Sequence, residues 1–259
     1  VKAGALISFE IHAEDLDTYP GGVFQDITLG VSGGQFSADY TDPLLCHNPP
    51  CATFNNGGAP ALTPPFSAPS LVSGVFEWQT TCDHILANTG CGNTSNIFTF
   101  VIKAFDDFCP ANGIRIATIK ITVEEPSPDL NCVSVQNNGD IDLTWEYTSG
   151  APPPTEPFYV WHSINLSGPY TMLDSVGFPI NTYTHVGANG NDASQYYFLS
   201  AKDACDPSAL DTLNSDTLQS IFMDVMPINF GIAASLNWNP IHDPLLSIYT
   251  DYDLYIKQS

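Results

Sequence analysis

Apolar and polar residues alternate along much of this chain with a period near two, the spacing of a strand that shows one face to a core and the other to water. Residues 5–12 (ALISFEIH) do so, as do 75–78 (VFEW), 97–104 (IFTFVIKA) and 114–123 (IRIATIKITV). Turn clusters separate them: Tyr19-Pro20-Gly21-Gly22, Ser32-Gly33-Gly34 and Asn55-Asn56-Gly57-Gly58. No stretch keeps a helical period over three turns. The pattern predicts an all-β fold.

One cassette occurs twice. Leu143-Thr144-Trp145, a proline-rich loop and the run 158–163 (FYVWHS) return as Leu236-Asn237-Trp238, a loop and 252–257 (YDLYIK). The two tryptophans stand 93 residues apart, and the lead-ins 129–135 and 220–226 match as well. A fixed long period indicates an array of modules, and this step suits a sandwich of about 100 residues. Glu124-Glu125-Pro126-Ser127-Pro128 marks the clearest boundary, since two prolines after a β-branched run end a sheet and stiffen a linker. The expected modules are residues 1–125, 126–221 and an incomplete third, 222–259, whose second cassette stops after its third strand signal; the chain therefore reads as a window of a longer one. In the second module strands are expected at 130–135, 141–147, 158–163 and 195–201, with a last one from near Asp216. Core packing is the expected role of every tryptophan.

Charge narrows the partners. Six Lys and Arg face 28 Asp and Glu, a net charge of −22, which repels nucleic acid and anionic membrane surfaces. Aromatic residues make up 12% of the chain, too many for a disordered acidic tail, so the charge sits on folded modules. No apolar run approaches the ~18 residues that span a bilayer, and Val1-Lys2-Ala3-Gly4 opens directly into a strand-like run rather than a signal peptide. Seven cysteines in a loop-rich chain point to an oxidising compartment and leave one thiol free or paired elsewhere.

Candidate chemistry follows from placing these residues on a sandwich. Asp15 and Asp17 fall in one inter-sheet loop, and Asp106 and Asp107 in another at the same end, beside the N-terminus. Four converging carboxylates, with Glu14 and Glu10 as further ligands, are how a calcium site is assembled, because that ion needs several oxygens at once. Solvated, mutually repelling carboxylates are the alternative. Glu124, Glu125 and Asp129 form a weaker second candidate. Among the cysteines, Cys132 and Cys205 are expected to bridge, closing a long loop worth about 4 kcal/mol. Cys46–Cys51 with Cys82–Cys91 is the local solution in the first module; cross-pairing stays open, and Cys109 is left over. Zinc held by Cys46, His47, Cys51, Cys82, His84 and Cys91 is a minor reading. No Gly-x-Ser-x-Gly, His-Glu-x-x-His or glycine-rich phosphate loop occurs, so no catalytic residue is assigned.

The second module resembles a fibronectin type III domain through 139–145 (GDIDLTW), 167–170 (SGPY) and 197–203 (YFLSAKD). The first resembles cadherin-like or PKD-like sandwiches through 13–17 (AEDLD), 74–78 (GVFEW) and 100–107 (FVIKAFDD). Residues 76–85 (FEWQTTCDHI), 106–110 (DDFCP), 129–135 (DLNCVSV) and 236–246 (LNWNPIHDPLL) together are similar to the large Bacteroidota surface proteins that carry a gliding-motility-associated C-terminal domain and leave by type IX secretion, the SprB-like gliding adhesins among them. That resemblance implies tandem immunoglobulin-like sandwiches in an extracellular, repetitive, non-enzymatic cell-surface protein. Its partners would be neighbouring modules, surface polysaccharide, other surface proteins or like chains in a filament. It also keeps a Cys82–Cys109 pair open and implies O-glycans at Ser175, Thr212 and Thr217, each in an Asp-Ser/Thr-aliphatic context. The second functional expectation is a carbohydrate-binding or spacer array attached to a secreted polysaccharide-degrading enzyme.

Overall fold

The computed structural model describes residues 1–90, 92–210, 212–228 and 233–240. They form an all-β fold of immunoglobulin-like antiparallel sandwiches, with one short 3-10 turn at Cys82–His84. Two compact units separate between Pro126 and Ser127, and Thr148–Pro152 group with the first. No helix among the described residues is long and apolar enough to cross a membrane.

In the first unit, β1 (Leu6–Glu14), β3 (Thr53–Asn55) and β5 (Leu71–Gln79) make one sheet, ordered β1-β5-β3. The facing sheet runs β4-β2-β8-β9, from β2 (Asp26–Ser32), β4 (Phe66–Pro69), β8 (Ile97–Asp106) and β9 (Ile114–Thr122). A small hairpin, β6 (Ala87–Gly90) and β7 (Asn93–Ser95), lies between β5 and β8 in sequence. Period-two patterning does its expected work on β5, where Val72, Gly74, Phe76 and Trp78 all turn inward and are buried. Rings meet edge to face across the core: Phe36, Phe76 and Phe100 sit 5.0–5.8 Å apart between centroids, and Trp78 lies 4.8 Å from Phe98. Gly74 is required there, because a Cβ would stand 2.2 Å from the ring of Phe54.

The N-terminus corrects one expectation. Val1–Ala3 run parallel to the end of β9, with Ala3 N–H donating to Glu124 O and Glu124 N–H to Val1 O, both at 2.8 Å. The chain therefore starts at the far end of the sandwich from the loops of Asp15 and Asp106.

In the second unit β10 (Asp129–Val135), β11 (Ile141–Glu146) and β14 (Thr182–His185) form one sheet, ordered β10-β11-β14. β12 (Phe158–Ser163), β13 (Thr171–Val176), β15 (Tyr196–Lys202), β16 (Thr212–Asn214) and β17 (Leu218–Gln219) form the other. The last strand, expected from near Asp216, starts earlier at Thr212 and is split, with Ser215 between its halves using its hydroxyl to accept the Leu199 N–H at 2.9 Å. Leu130, Leu143, Trp145, Phe158, Val160, Tyr197 and Leu199 make the core. The cassette repeats at the level of backbone pairing. Leu130 faces Trp145, and 93 residues later Met223 on β18 (Met223–Ile228) faces Trp238 on β19 (Ala233–Trp238). The third strand signal of that copy, 252–257, lies outside the described residues.

Candidate functional site

The two acidic loops do meet. Tyr19 donates its hydroxyl hydrogen to the Asp107 carbonyl at 2.7 Å, and the Asp26 N–H donates to the Asp107 carboxylate at 3.0 Å. Tyr19 is pushed up to about 12 by its hydrogen bond at Asp107 and the charge of Asp107 and Asp106. Yet the carboxylates serve the loops themselves. Asp106 accepts from the N–H groups of Phe108 at 3.0 Å and Gly113 at 2.9 Å, and Asp15 accepts from Asp17 N–H at 2.9 Å. Among the described residues no three His, Cys, Asp or Glu side chains assemble as a metal-holding group. Asp15, Asp17, Asp106 and Asp107, with Glu14, are thus not gathered into a metal-holding group in this structure; the carboxylates of Asp15, Asp106 and Asp107 accept backbone N–H groups of these loops instead. Glu124, Glu125 and Asp129 assemble no metal-holding group either.

The cysteines divide differently from expectation at one pair. Cys46 and Cys51 are bridged, with Cα atoms 5.7 Å apart. Cys82 and Cys205 are each in a disulfide, while Cys132 and Cys109 carry exposed free thiols; Cys91 lies outside the described residues. Cys132 thus does not pair with Cys205. A bulge between Leu130 and Cys132 shifts the register by one residue, so Leu130 stays buried opposite Trp145 and Cys132 turns outward opposite exposed Thr144. The Cys46–Cys51 bond also removes two of the six ligands of the zinc reading.

Behind that bridge lies a buried polar network. His84, 0% exposed, accepts the Thr81 N–H at Nδ1 (2.9 Å) and places Nε2 3.1 Å from Asn48 O. Gln35 donates to Asn48 O at 2.6 Å and Pro50 O at 3.0 Å, and Trp78 Nε1–H donates to Pro50 O at 2.9 Å. Burial holds His84 below its ordinary value despite these partners. The network fixes the 46–51 loop onto the core; His84 is structural here.

On the second unit, β12 and β15 carry aromatic rings on their outer face. Trp161 and Phe198 are cross-strand partners with nearly parallel rings at 5.8 Å, and Tyr170 packs on Phe198 at 5.0 Å. Trp161 Nε1–H donates to Ser200 Oγ at 2.8 Å. Trp161 is half-buried on the surface, whereas Trp78 and Trp145 are buried in the cores as expected. The sequence did contain the signal: Phe158-Tyr159-Val160-Trp161 is aromatic or apolar at both parities, which a strand with one plain solvent face has no need to be. On the inner side His162 and His185 close the core's end, their rings 4.9 Å apart, with His185 Nδ1 2.8 Å from the Tyr197 hydroxyl. Burial and the neighbouring His162 push His185 below its ordinary value.

Of the expected glycan acceptors, Ser175 is exposed on edge strand β13 and Thr212 is exposed at the start of β16. Thr217 is half-buried, hydrogen-bonded to Tyr170. One groove stands out in the first unit, with a volume of about 400 Å³; it lies between β1 and β9, and Ile11, Ile27, Leu29 and Ile102 line it.

No protein-family model matches this chain, and no curated protein does. Among solved structures it is similar to a chain from a chaperone–tip adhesin complex of CFA/I fimbriae, at 12% identity and a TM-score of 0.25, covering 83% of this chain and 92% of that one.

Proposed function

We propose that this chain is a structural and adhesive segment of a large extracellular repeat protein, with its sandwiches acting as spacers and no residue acting in catalysis. The observation that carries the reading is the pairing Leu130–Trp145 and its return, 93 residues on, as Met223–Trp238. Units of this kind bury their own cores and contact chiefly their neighbours, so length is what repetition supplies. The bridged and oxidised cysteines fit an extracellular site, and the resemblance to type IX-secreted gliding adhesins fits the same placement. Immunogold labelling of intact producing cells tests it: label is expected on the outer surface and along thin projections, and label confined to the interior overturns the proposal.

The outer aromatic face favours a second reading, in which the second unit holds polysaccharide. Rings flanked by hydroxyls suit the apolar faces and hydroxyl groups of sugars. Retention on insoluble polysaccharide that is lost in Trp161→Ala would support it, and no retention of the parent chain would end it.

A further inference from the structure

The outer face of the β4-β2-β8-β9 sheet differs from the acidic surface around it. Outward positions on β2 from Thr28 to Ser32, on β8 from Ile97 to Phe105 and on β9 from Ile114 to Lys120 carry no Asp or Glu. Lys103 and Lys120 stand among them, and neither is in an ion pair among the described residues. Lys103 is exposed, with its ammonium 5.1 Å from the centre of the Phe105 ring. A pocket of about 290 Å³ opens on this face. Gly30 and Val101 form its floor, Tyr40, Pro64 and Pro65 its walls, and Lys103 its rim. It lies on β2 and β8, the central strands of the sheet, and not at the β9 edge along which Val1–Ala3 run.

Glycine weakens a strand interior, and nothing in the fold calls for one at position 30. Its φ is not left-handed, the register of β2 against β8 runs through it unbroken, and a Cβ would meet nothing closer than 4.0 Å. What the missing side chain leaves is space, since one of the two atoms at that distance belongs to Pro65 in the pocket wall. Tyr40 sits at φ +63, a region unfavourable for an aromatic residue, held by its N–H to Ser37 O and by Phe54 N–H to its own carbonyl. Its hydroxyl donates to Val31 O at 3.2 Å, which fixes the ring against the sheet. Asp39 and Asp42, beside it in the chain, do not line the pocket. Asp39 accepts the N–H groups of Thr41 and Asp42, and Asp42 that of Leu44.

We propose that this pocket takes one uronic acid residue of an acidic polysaccharide, its ring against Tyr40 and the two prolines and its carboxylate on Lys103. A sugar ring offers apolar faces to such walls and hydroxyls to the polar groups beside them. Lys120 pairs with Thr99, four residues from Lys103, so the two lysines sit roughly 13 Å apart along the strand direction. That spacing suits a polymer with repeated carboxylates, and Thr118 stands between the lysines with a hydroxyl for its sugar hydroxyls. A peptide finds no free backbone to pair with there, because β2 and β8 are each hydrogen-bonded on both sides. Beyond about 8 Å the remaining negative charge is screened at physiological ionic strength, so the local lysines govern the contact. The site depends neither on a spacer role nor on the aromatic face of the second unit.

Titration calorimetry of the whole chain at about 150 mM salt tests it. The probes are tetramers of galacturonate, mannuronate and glucuronate, the fully methyl-esterified form of each, and a glutamate tetramer. At least one uronate is expected to bind at least about tenfold more tightly than its ester and than the glutamate peptide. Gly30→Leu fills the pocket and Lys103→Gln removes its cation; each is expected to weaken that binding about tenfold. Lys103→Gln decides the matter if the leucine variant melts early. Binding of no uronate, equal binding of the ester or of the glutamate peptide, or unchanged binding by Lys103→Gln overturns the proposal. So does loss of binding in Trp161→Ala with Gly30→Leu unaffected, because the sugar would then sit on the second unit. A parent chain that light scattering finds dimeric and that Lys103→Gln makes monomeric overturns it too, the occupant then being the acidic surface of a second copy.

Discussion

His84 shows how one buried side chain ties sequence to pH. Its Nδ1 accepts the Thr81 N–H, which requires that nitrogen to be unprotonated, and Nε2 sits beside the Asn48 carbonyl. Burial lowers its folded-state value below the ordinary 6.5. The unfolded chain therefore takes up a proton first as pH falls. Stability of the first unit is complete above about 6.5 and declines as pH drops below that toward the folded value. Urea unfolding midpoints are expected to fall between about pH 7.5 and about pH 5, and the slope is expected to flatten in His84→Phe even though that variant starts lower. His185 adds a second share with the same sign in the other unit, which His84→Phe leaves in place. An unchanged slope would remove the account of His84. Nothing in the sequence announces this role: the spacing of Cys82 and His84 reads equally well as zinc chemistry. What decides is the disulfide between Cys46 and Cys51, which withdraws two thiolates, and the burial of the ring.

At the scale of strands, alternation located β1, β5, β8 and β9 and left β2, β3 and β4 unmarked. It failed where backbone irregularity changes parity. The bulge on β10 reverses the face of Cys132 and so undoes the bridge to Cys205, and no residue type in 129–135 signals it. The acidic loops were placed at a common end and do touch there, through Tyr19 and Asp107. Their carboxylates were not placed, because turn geometry decides whether a carboxylate faces a cation or caps an amide. Gly74 offers the sharpest test of an element. It lies on the inward face of β5 with the Phe54 ring over it, both fully surrounded. Gly74→Ala forces that ring aside in a close-packed core and is expected to cost about 2 kcal/mol, several degrees of melting temperature. Gly34→Ala, where a Cβ meets open space, is the matched control and is expected to be near neutral. Equal melting of the two variants would show that the core at Phe54 is looser than its contacts indicate.

For the whole molecule the governing quantity is charge. At −22, with Lys202–Glu156 the one ion pair among the described side chains, the negative charge is left largely without neutralising cations. The resulting self-repulsion opposes the compact state and is screened by any salt, with a Debye length near 8 Å at physiological ionic strength. A specific cation site makes a different prediction, since ligand binding to the folded state stabilises it according to the ligand's concentration over its Kd. The two are separable. Melting temperature is expected to climb as sodium chloride is raised from about 10 mM to about 150 mM, through screening alone. Calcium chloride at matched ionic strength is expected to give the same curve, and a chelator at fixed ionic strength to change nothing. A rise specific to calcium at millimolar concentration would mean that Asp15, Asp106 and Asp107 release the amides they accept from and hold the ion together with Asp17. Their present hydrogen bonds, two of them from Gly113 N–H to the one carboxylate of Asp106, argue against that exchange. Each amide freed would need a new acceptor, and the nearest carboxylates would by then be bound to the metal.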